Sequence, residues 1–424
     1  MKRRAFMLAG LGAGGLLTAA WLRPSDHGQP HDDYFQVLNR ELKANGPMRP
    51  ALLIDLDRLD HNIEVVRQFL ARSGKQLRLV EKSLPAPDLL RYIGERVGTQ
   101  RLMSFHQPFL NHDARLFPEA DILLGKPLPV RSAQLFYQQH RGAFDPAKQL
   151  QWLIDTPERL QQYLALAQGL GTRLRINIEL DVGLHRGGVA NTQVLAQLLQ
   201  LIASHPQQLE FAGFMGYDPF VGMNLPTLLG TPDELLAKVM TRYQRQVDFT
   251  RQQFPALWHG GLTLNTAGSP SYRAHEHETL STEVAIGTGL LKPSHYDLPS
   301  LAEHVPAAYI ATPVLKRTGA LRLPALDDKS AVLAWWDVNR RETLFIYGGN
   351  WQADFASPRG LQLSGLYGRS SNQELVNASP AVGLQVDDQV FLRPTQSEAV
   401  LLQFGDLLAV RGGKIVERWP VYQG

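Results

Sequence analysis

The chain has 424 residues, enough for a large domain plus a smaller one. Its 44% hydrophobic and 20% charged residues are ordinary for a globular protein, and it has no cysteine, which excludes disulfides and thiolate metal sites. The net charge of +3 is small, and no basic stripe with interleaved aromatics is visible, which argues against nucleic acid as a partner.

Met1-Lys2-Arg3-Arg4-Ala5-Phe6-Met7 is a basic start with paired arginines. An apolar, Gly/Ala-rich run follows from Leu8 to Leu22. This is the layout of a twin-arginine export signal. The run is short against the roughly 20 apolar residues of a membrane span. Residues 1–31 are therefore expected to be an export signal and linker, and the protein to be periplasmic. Any membrane contact would run through this segment, with an uncleaved anchor or a disordered tail as the alternatives.

Asp33 is expected to cap a helix from Tyr34 to about Ala44, stopped by Asn45-Gly46-Pro47. A strand begins at Ala51, so residues 32–56 read as a helix and strand that join a β domain. Next comes a helix from about Leu59, with Asp57 as N-cap and apolar residues at helical spacing. Leu77 to Ser83 reads as a strand with Lys82 at its carboxyl end, where α/β units place their chemistry. A lysine amine withdrawn from water is partly neutral and can form a Schiff base with an aldehyde such as that of pyridoxal phosphate. On this stretch alone, a solvated loop lysine is the plainer reading.

Seven further apolar runs follow, beginning near Leu102, Asp121, Gln151, Leu174, Phe211, Leu262 and Val284. Helical patterns lie between them, such as Pro157 to Gln168, Thr192 to Ser204 and Asp233 to Phe254. Eight strands at this spacing predict an α/β fold, a (β/α)8 TIM-type barrel over residues 57–304. From 305 to 424 the texture changes to a C-terminal β-rich domain. Its expected strands are Val332–Trp336, Thr343–Tyr347, Gln389–Leu392, Glu398–Phe404 and Leu407–Val410. A Gly-Gly hairpin turn follows at Gly412-Gly413.

Two small-residue turns follow the last two barrel strands: Asn265-Thr266-Ala267-Gly268-Ser269 and Gly287-Thr288-Gly289. Backbone N–H groups and hydroxyls in such turns cradle phosphate, and barrels place phosphate sites there. Thr266, Gly268, Ser269, Gly287 and Thr288 are the candidates. His106 and His185 stand at strand ends as further acid/base candidates, each with a structural role as the alternative.

Three stretches carry a resemblance to a known family. Pro50-Ala51-Leu52-Leu53-Ile54-Asp55 leads from a strand into a helix. Arg78 to Lys82 has an Arg-x-x-x-Lys spacing. Glu179-Leu180-Asp181-Val182-Gly183-Leu184-His185-Arg186-Gly187-Gly188-Val189 alternates charges and aliphatics before a glycine-flanked arginine. Together they resemble the alanine-racemase-like (fold type III) pyridoxal-phosphate enzymes, most closely the D-threonine aldolase and D-serine dehydratase family. The resemblance implies pyridoxal 5'-phosphate as cofactor, Lys82 as its attachment point and α-carbon base, and Arg186 at the ring oxygen. It implies Tyr217 as the ring-stacking residue, with a barrel-core tyrosine as the alternative. It further implies a small D-amino acid as substrate and lyase chemistry; a homodimer is one assembly that the sequence leaves open. Where that family holds a metal through a His-x-Cys or His-x-Asp pair, this chain has Gln396 and Glu398. Its Ser371-Asn372-Gln373-Glu374 segment has no histidine. Glutamine is a poor ligand for zinc or manganese, so no metal is expected. A metal-independent racemase and a non-catalytic cofactor- or amino-acid-binding protein stand as alternatives.

Overall fold

The computed structural model describes residues 23–324, 327–398 and 400–423. The expected twin-arginine signal, with Arg3, Arg4 and Phe6, lies outside the described residues. Contacts divide the chain into two interleaved units. One comprises the chain up to Leu53, Tyr309–Pro394 and Val410–Val416; the other comprises Ile54–Ala308, Thr395–Ala409 and Glu417–Gly424. A single cut after residue 304 does not describe this division, because two late segments group with the barrel.

In the first unit, helix α1 (Asp33–Asn45) turns Phe35, Leu38 and Leu42 inward. Phe35 meets Tyr309 edge-on at 5.2 Å and Phe391 at 4.9 Å between ring centroids. The N-cap is Asp32, whose carboxylate accepts from the Phe35 N–H, and Asp33 sits in the first turn. Either acid suits a helix start, so composition left the choice one residue off. The strand expected at Thr343–Tyr347 spans Glu342–Tyr347 and pairs antiparallel with both Ala308–Arg317 and Gln373–Ala378, and Gln389–Pro394 pairs with Ala308–Arg317 and Ala353–Ser357.

Two expected strands of the β-rich region are not strands. Val332–Trp336 is the end of a helix, Asp327–Trp336. A five-residue apolar run carries no period of its own, and the preceding polar residues extend it as a helix. Glu398–Phe404 contains a 3-10 turn, Leu401–Phe404, rather than a strand. Gly412 and Gly413, at φ 56° and 75°, form the turn between strands Asp406–Arg411 and Lys414–Pro420.

The second unit is the barrel. Strand β1 (Ala51–Asp55), which pairs in the open sheet and not in the barrel, leads directly into helix α2 (Leu56–Ser73). No loop intervenes, so Asp55 rather than Asp57 is the N-cap, accepting from the Arg58 N–H at 2.9 Å. The closed parallel barrel then runs through β2 (Gln76–Val80), β3 (Arg101–Ser104), β4 (Asp121–Leu124), β5 (Leu150–Ile154), β6 (Leu174–Leu180), β7 (Leu209–Gly216), β8 (Thr263–Thr266) and β9 (Glu283–Ile286). The β9 to β2 pairing closes it, with Arg78 opposite Ala285. Gly213 has φ 136°, and a β-carbon there would stand 1.9 Å from the Thr263 carbonyl, so only glycine lets β7 and β8 approach.

Alternation along β2 decides what fills the barrel. Leu77 and Leu79 are buried, while Arg78 is fully enclosed and ion-paired across the interior. Its guanidinium bonds Glu283 at 2.6 Å and Asp121 at 2.7 Å. Asn265 donates to Glu283, and Gln151 joins Asp121 to Thr263. Burial opposes the charge on Arg78, but Glu283 and Asp121 outweigh it and hold its pKa above the ordinary value. Among the described residues, no helix is long and apolar enough to cross a membrane.

Candidate active site

At Val80 the β2 strand gives way to a 3-10 turn, Glu81–Ser83. The Leu84 N–H closes it on the Glu81 carbonyl at 2.8 Å. Glu81 and Ser83 are buried, which anchors the turn on both sides of Lys82. Behind it, burial and then the neighbouring Asp113 carboxylate push the Glu81 pKa well up. Tyr422 donates to Asp113 and fixes that second carboxylate.

Lys82 therefore lies just beyond the strand rather than at its last residue. It is not withdrawn from water as expected. Its side chain is 40% exposed, and its Nζ sits 3.0 Å from Glu398 Oε1 and 4.7 Å from the Phe105 ring centroid. The lysine opens into a cavity of about 550 Å³, part of it open to solvent. Arg186, Tyr217, Gly268, Ser269, Gly287 and Thr288 stand on its walls.

The two turns after β8 and β9 meet at Ser269. Its hydroxyl accepts from the Gly287 N–H at 3.2 Å and the Gly289 N–H at 2.9 Å. From there a series of hydroxyls crosses to the lysine turn. Ser397 donates to Thr288 at 3.2 Å, Thr288 to Ser83 at 2.9 Å, and Ser83 to Glu398 Oε1 at 3.1 Å. Space is tight around this cradle. A β-carbon at Gly268 would stand 2.5 Å from the Tyr217 ring, and one at Gly287 would stand 2.8 Å from Val80 Cβ and 2.9 Å from Ser83 Cβ. Ala267 holds φ 66°, a conformation costly for a residue with a β-carbon, and it too lines the wall.

Arg186 lies over the Tyr217 ring, 4.6 Å from its centroid. Burial pushes the Tyr217 pKa up to about 12, with Arg186 pulling the other way. Glu179, on β6, is pushed up to about 7 by burial and then by Asp155, against the opposing pull of Arg186. Next to Tyr217, Asp218 accepts from His275 Nε2 at 2.7 Å and from the Ser271 hydroxyl at 2.7 Å. His275 is raised to about 9: burial opposes its charge, and Asp218 outweighs burial.

Several sequence candidates lie elsewhere. Thr266 ends β8 with its side chain buried away from the cavity wall, because residues alternate faces along a strand. His185 is exposed and bonds Asp181 at 2.8 Å. His106 is exposed too, packing edge-on against Phe109 at 4.9 Å. Gln396 is exposed and off the wall. Glu374 is buried and paired with Arg369 in the other unit. Among the described residues, no three His, Asp or Glu side chains gather as metal ligands. Sequence reasoning missed Glu398 as a neighbour of Lys82, because 315 residues separate the carboxylate from Ser83, which it also bonds.

A family model described as "Alanine racemase, N-terminal domain" matches residues 54–294. The chain belongs to this family. The alanine racemase family depends on pyridoxal phosphate, and its members are enzymes of lyase and racemase type. No curated protein sequence matches this family member. Solved structures with the same fold include D-threonine aldolase from Filomicrobium marinum, with 14% identity and TM-score 0.66 over 88% of this chain and 97% of that one. D-threo-3-hydroxyaspartate dehydratase from Delftia sp. HT23 shares 16% identity at TM-score 0.66, with the same coverage. Alanine racemase from Bacillus anthracis shares 14% at 0.66, again over 88% and 97% of the two chains. At these identities the likeness establishes the fold.

The residues of this alanine-racemase-family chain fit the cofactor. A phosphate is rich in acceptors and needs converging donors. Ser269, Gly287 and Thr288 bring hydroxyl and N–H groups to the wall, and the Ser269 hydroxyl that now takes the Gly287 and Gly289 N–H groups is the one a phosphate oxygen would replace as their acceptor. Among the described residues, Lys82 supplies the amine on the cavity wall and Arg186 the guanidinium.

Proposed function

We propose that this chain is a pyridoxal-phosphate-dependent lyase of aldolase or ammonia-lyase type acting on a small D-amino acid. The observation that carries the reading is the gathering of Lys82, Arg186, Tyr217 and the Ser269–Gly287 cradle on one cavity. Two of the structures that share the fold are named for cleavage and dehydration of D-hydroxy amino acids.

When bound, the cofactor supplies an electron sink for the α-carbon. The chain's own residues do the rest. The Lys82 amine takes and returns a proton at the α-carbon. Ser269, Gly287 and Thr288 would hold the phosphate, Arg186 would supply a cation to the cofactor's ring oxygen, and Tyr217 would supply a ring to stack on it. Phe105 and Met215 add apolar surface to the same wall. Lys82 Nζ and Glu398 Oε1 stand 3.0 Å apart on the cavity wall.

A metal-independent racemase is the second reading. Gln396, an exposed amide where the resemblance puts a histidine, favours it by weakening the usual means of activating a β-hydroxyl. The reading includes a homodimer in the periplasm.

Borohydride reduction of the cofactor-loaded protein, followed by peptide mapping, should place the label on Lys82. D-Serine, D-threonine and D- and L-alanine should be assayed with and without chelator, with elemental analysis of the protein. A protein that takes up no pyridoxal phosphate sinks the proposal. Turnover confined to alanine moves the assignment to the racemase.

A further inference from the structure

We infer that Glu398 is a catalytic acid/base that works directly with Lys82, serving the β-substituent of the substrate in place of a metal ion. The inference rests on the lyase reading above and assigns a residue to it.

Three observations carry it. Glu398 Oε1 lies 3.0 Å from Lys82 Nζ, within reach of direct proton transfer. The carboxylate is held in place: Ser83 donates to it at 3.1 Å, and Ser83 is itself held by Thr288, which Ser397 holds in turn. The pair is also open, with side chains 40% and 36% exposed on the cavity wall. An ion pair this exposed adds little to stability, so its placement answers to the cavity rather than to the fold. Gln396 faces solvent, so Glu398 comes to Lys82 without the neighbour that would make it half of a metal-ligand pair.

The proton balance of water elimination from a 3-hydroxy amino acid closes on these two groups. The elimination requires Lys82 to enter as a free amine and Glu398 as a carboxylate. The α-C–H bond breaks and its proton goes to the amine. The ammonium passes a proton across to Glu398. The carboxylic acid gives it to the β-oxygen as the Cβ–O bond breaks, and water leaves. The electron pair of the C–H bond becomes the new Cα–Cβ π bond, and the pair of the C–O bond leaves with the oxygen. Amine and carboxylate are restored. The released enamine takes up water to give a 2-oxo acid and ammonia.

The test compares Glu398→Gln and Glu398→Asp with the parent, all loaded with pyridoxal phosphate, given D-serine in heavy water with chelator present. Three quantities are read: cofactor trapped on Lys82 by borohydride, α-deuterium in recovered D-serine, and pyruvate. Glu398→Gln should keep the label and the α-exchange and lose about 100-fold or more in pyruvate, the scale of a general acid. Glu398→Asp should recover part of the loss while keeping the label. Pyruvate within a few-fold of the parent in Glu398→Gln overturns the inference. So does joint loss of label, exchange and pyruvate in both variants, which would make Glu398 a prop for the lysine. A parent that loads cofactor and exchanges the α-proton but forms no pyruvate from D-serine overturns the ammonia-lyase branch of that reading, and the role of Glu398 with it.

Discussion

The guanidinium of Arg186 lies over the ring of Tyr217, 4.6 Å from its centroid. A cation over a neutral ring is attracted by the negative face of the ring, an effect of about 0.5–2 kcal/mol that grows as water is excluded. The contact links the glycine-flanked segment after β6 to the end of β7, so each residue orients the other on the cavity wall. Arg186→Ala should therefore weaken pyridoxal phosphate binding by about tenfold or more, equivalent to about 1.4 kcal/mol. Arg186→Lys should fall between, because it keeps the charge and loses the planar fork. Cofactor titration followed by absorbance measures both. Unchanged affinity in Arg186→Ala would remove the arginine from the cofactor site.

The cradle makes a steric prediction. A β-carbon at Gly287 would stand 2.8 Å from Val80 Cβ and 2.9 Å from Ser83 Cβ, on both flanks of the Lys82 turn. Gly287→Ala should lower stability by about 1–3 kcal/mol, the usual cost of overpacking. It should also weaken cofactor uptake, because the turn that yields carries the lysine. Gly260→Ala, with nothing within 4 Å, is the matched control. Equal melting temperatures and equal uptake for the two variants would mean that the cradle is softer than its packing.

Much of the barrel was legible because its signals are local. Thr192–Ser204 is a helix with the bounds its periodicity gives, and eight apolar runs become the eight barrel strands. What was not legible depends on direction or distance. Thr266 belongs to the right turn, but strand alternation sends its side chain away from the cavity. Glu398 sits in a stretch that reads as a strand, and only tertiary structure brings it to Lys82. Val332–Trp336 fits either a strand or a helix, and neighbours the pattern does not weigh decide it.

Export is a prediction about residues outside the described structure. Lysine at Arg3 and Arg4 keeps the charge and removes the paired arginines that a twin-arginine pathway reads. The double substitution should trap the protein in the cytoplasm, folded and loaded with cofactor. Fractionation with periplasmic and cytoplasmic markers measures it. Export at the parent level would assign the segment to another route or to anchoring.

Glu179 makes a prediction about pH. Burial, and then the Asp155 carboxylate, raise its pKa from an ordinary 4.5 to about 7, with Arg186 acting the other way. A carboxyl raised on folding favours the native state only while it is protonated in that state. Below pH 4.5 both folded and unfolded chains carry the proton, and the contribution is fully present. Between pH 4.5 and about 7 the unfolded chain loses its proton first, so stability falls as pH rises. Above pH 7 the loss is complete, on the order of 3 kcal/mol at most. Glu179→Gln keeps the shape and cannot ionise. Its melting temperature relative to the parent should therefore rise steadily from pH 4.5 to 7.5 and level off beyond. Calorimetry across that range, with matched ionic strength, gives the curve. A difference that stays flat with pH would mean that Glu179 is already ionised in the native protein, held by Arg186 more strongly than burial opposes it.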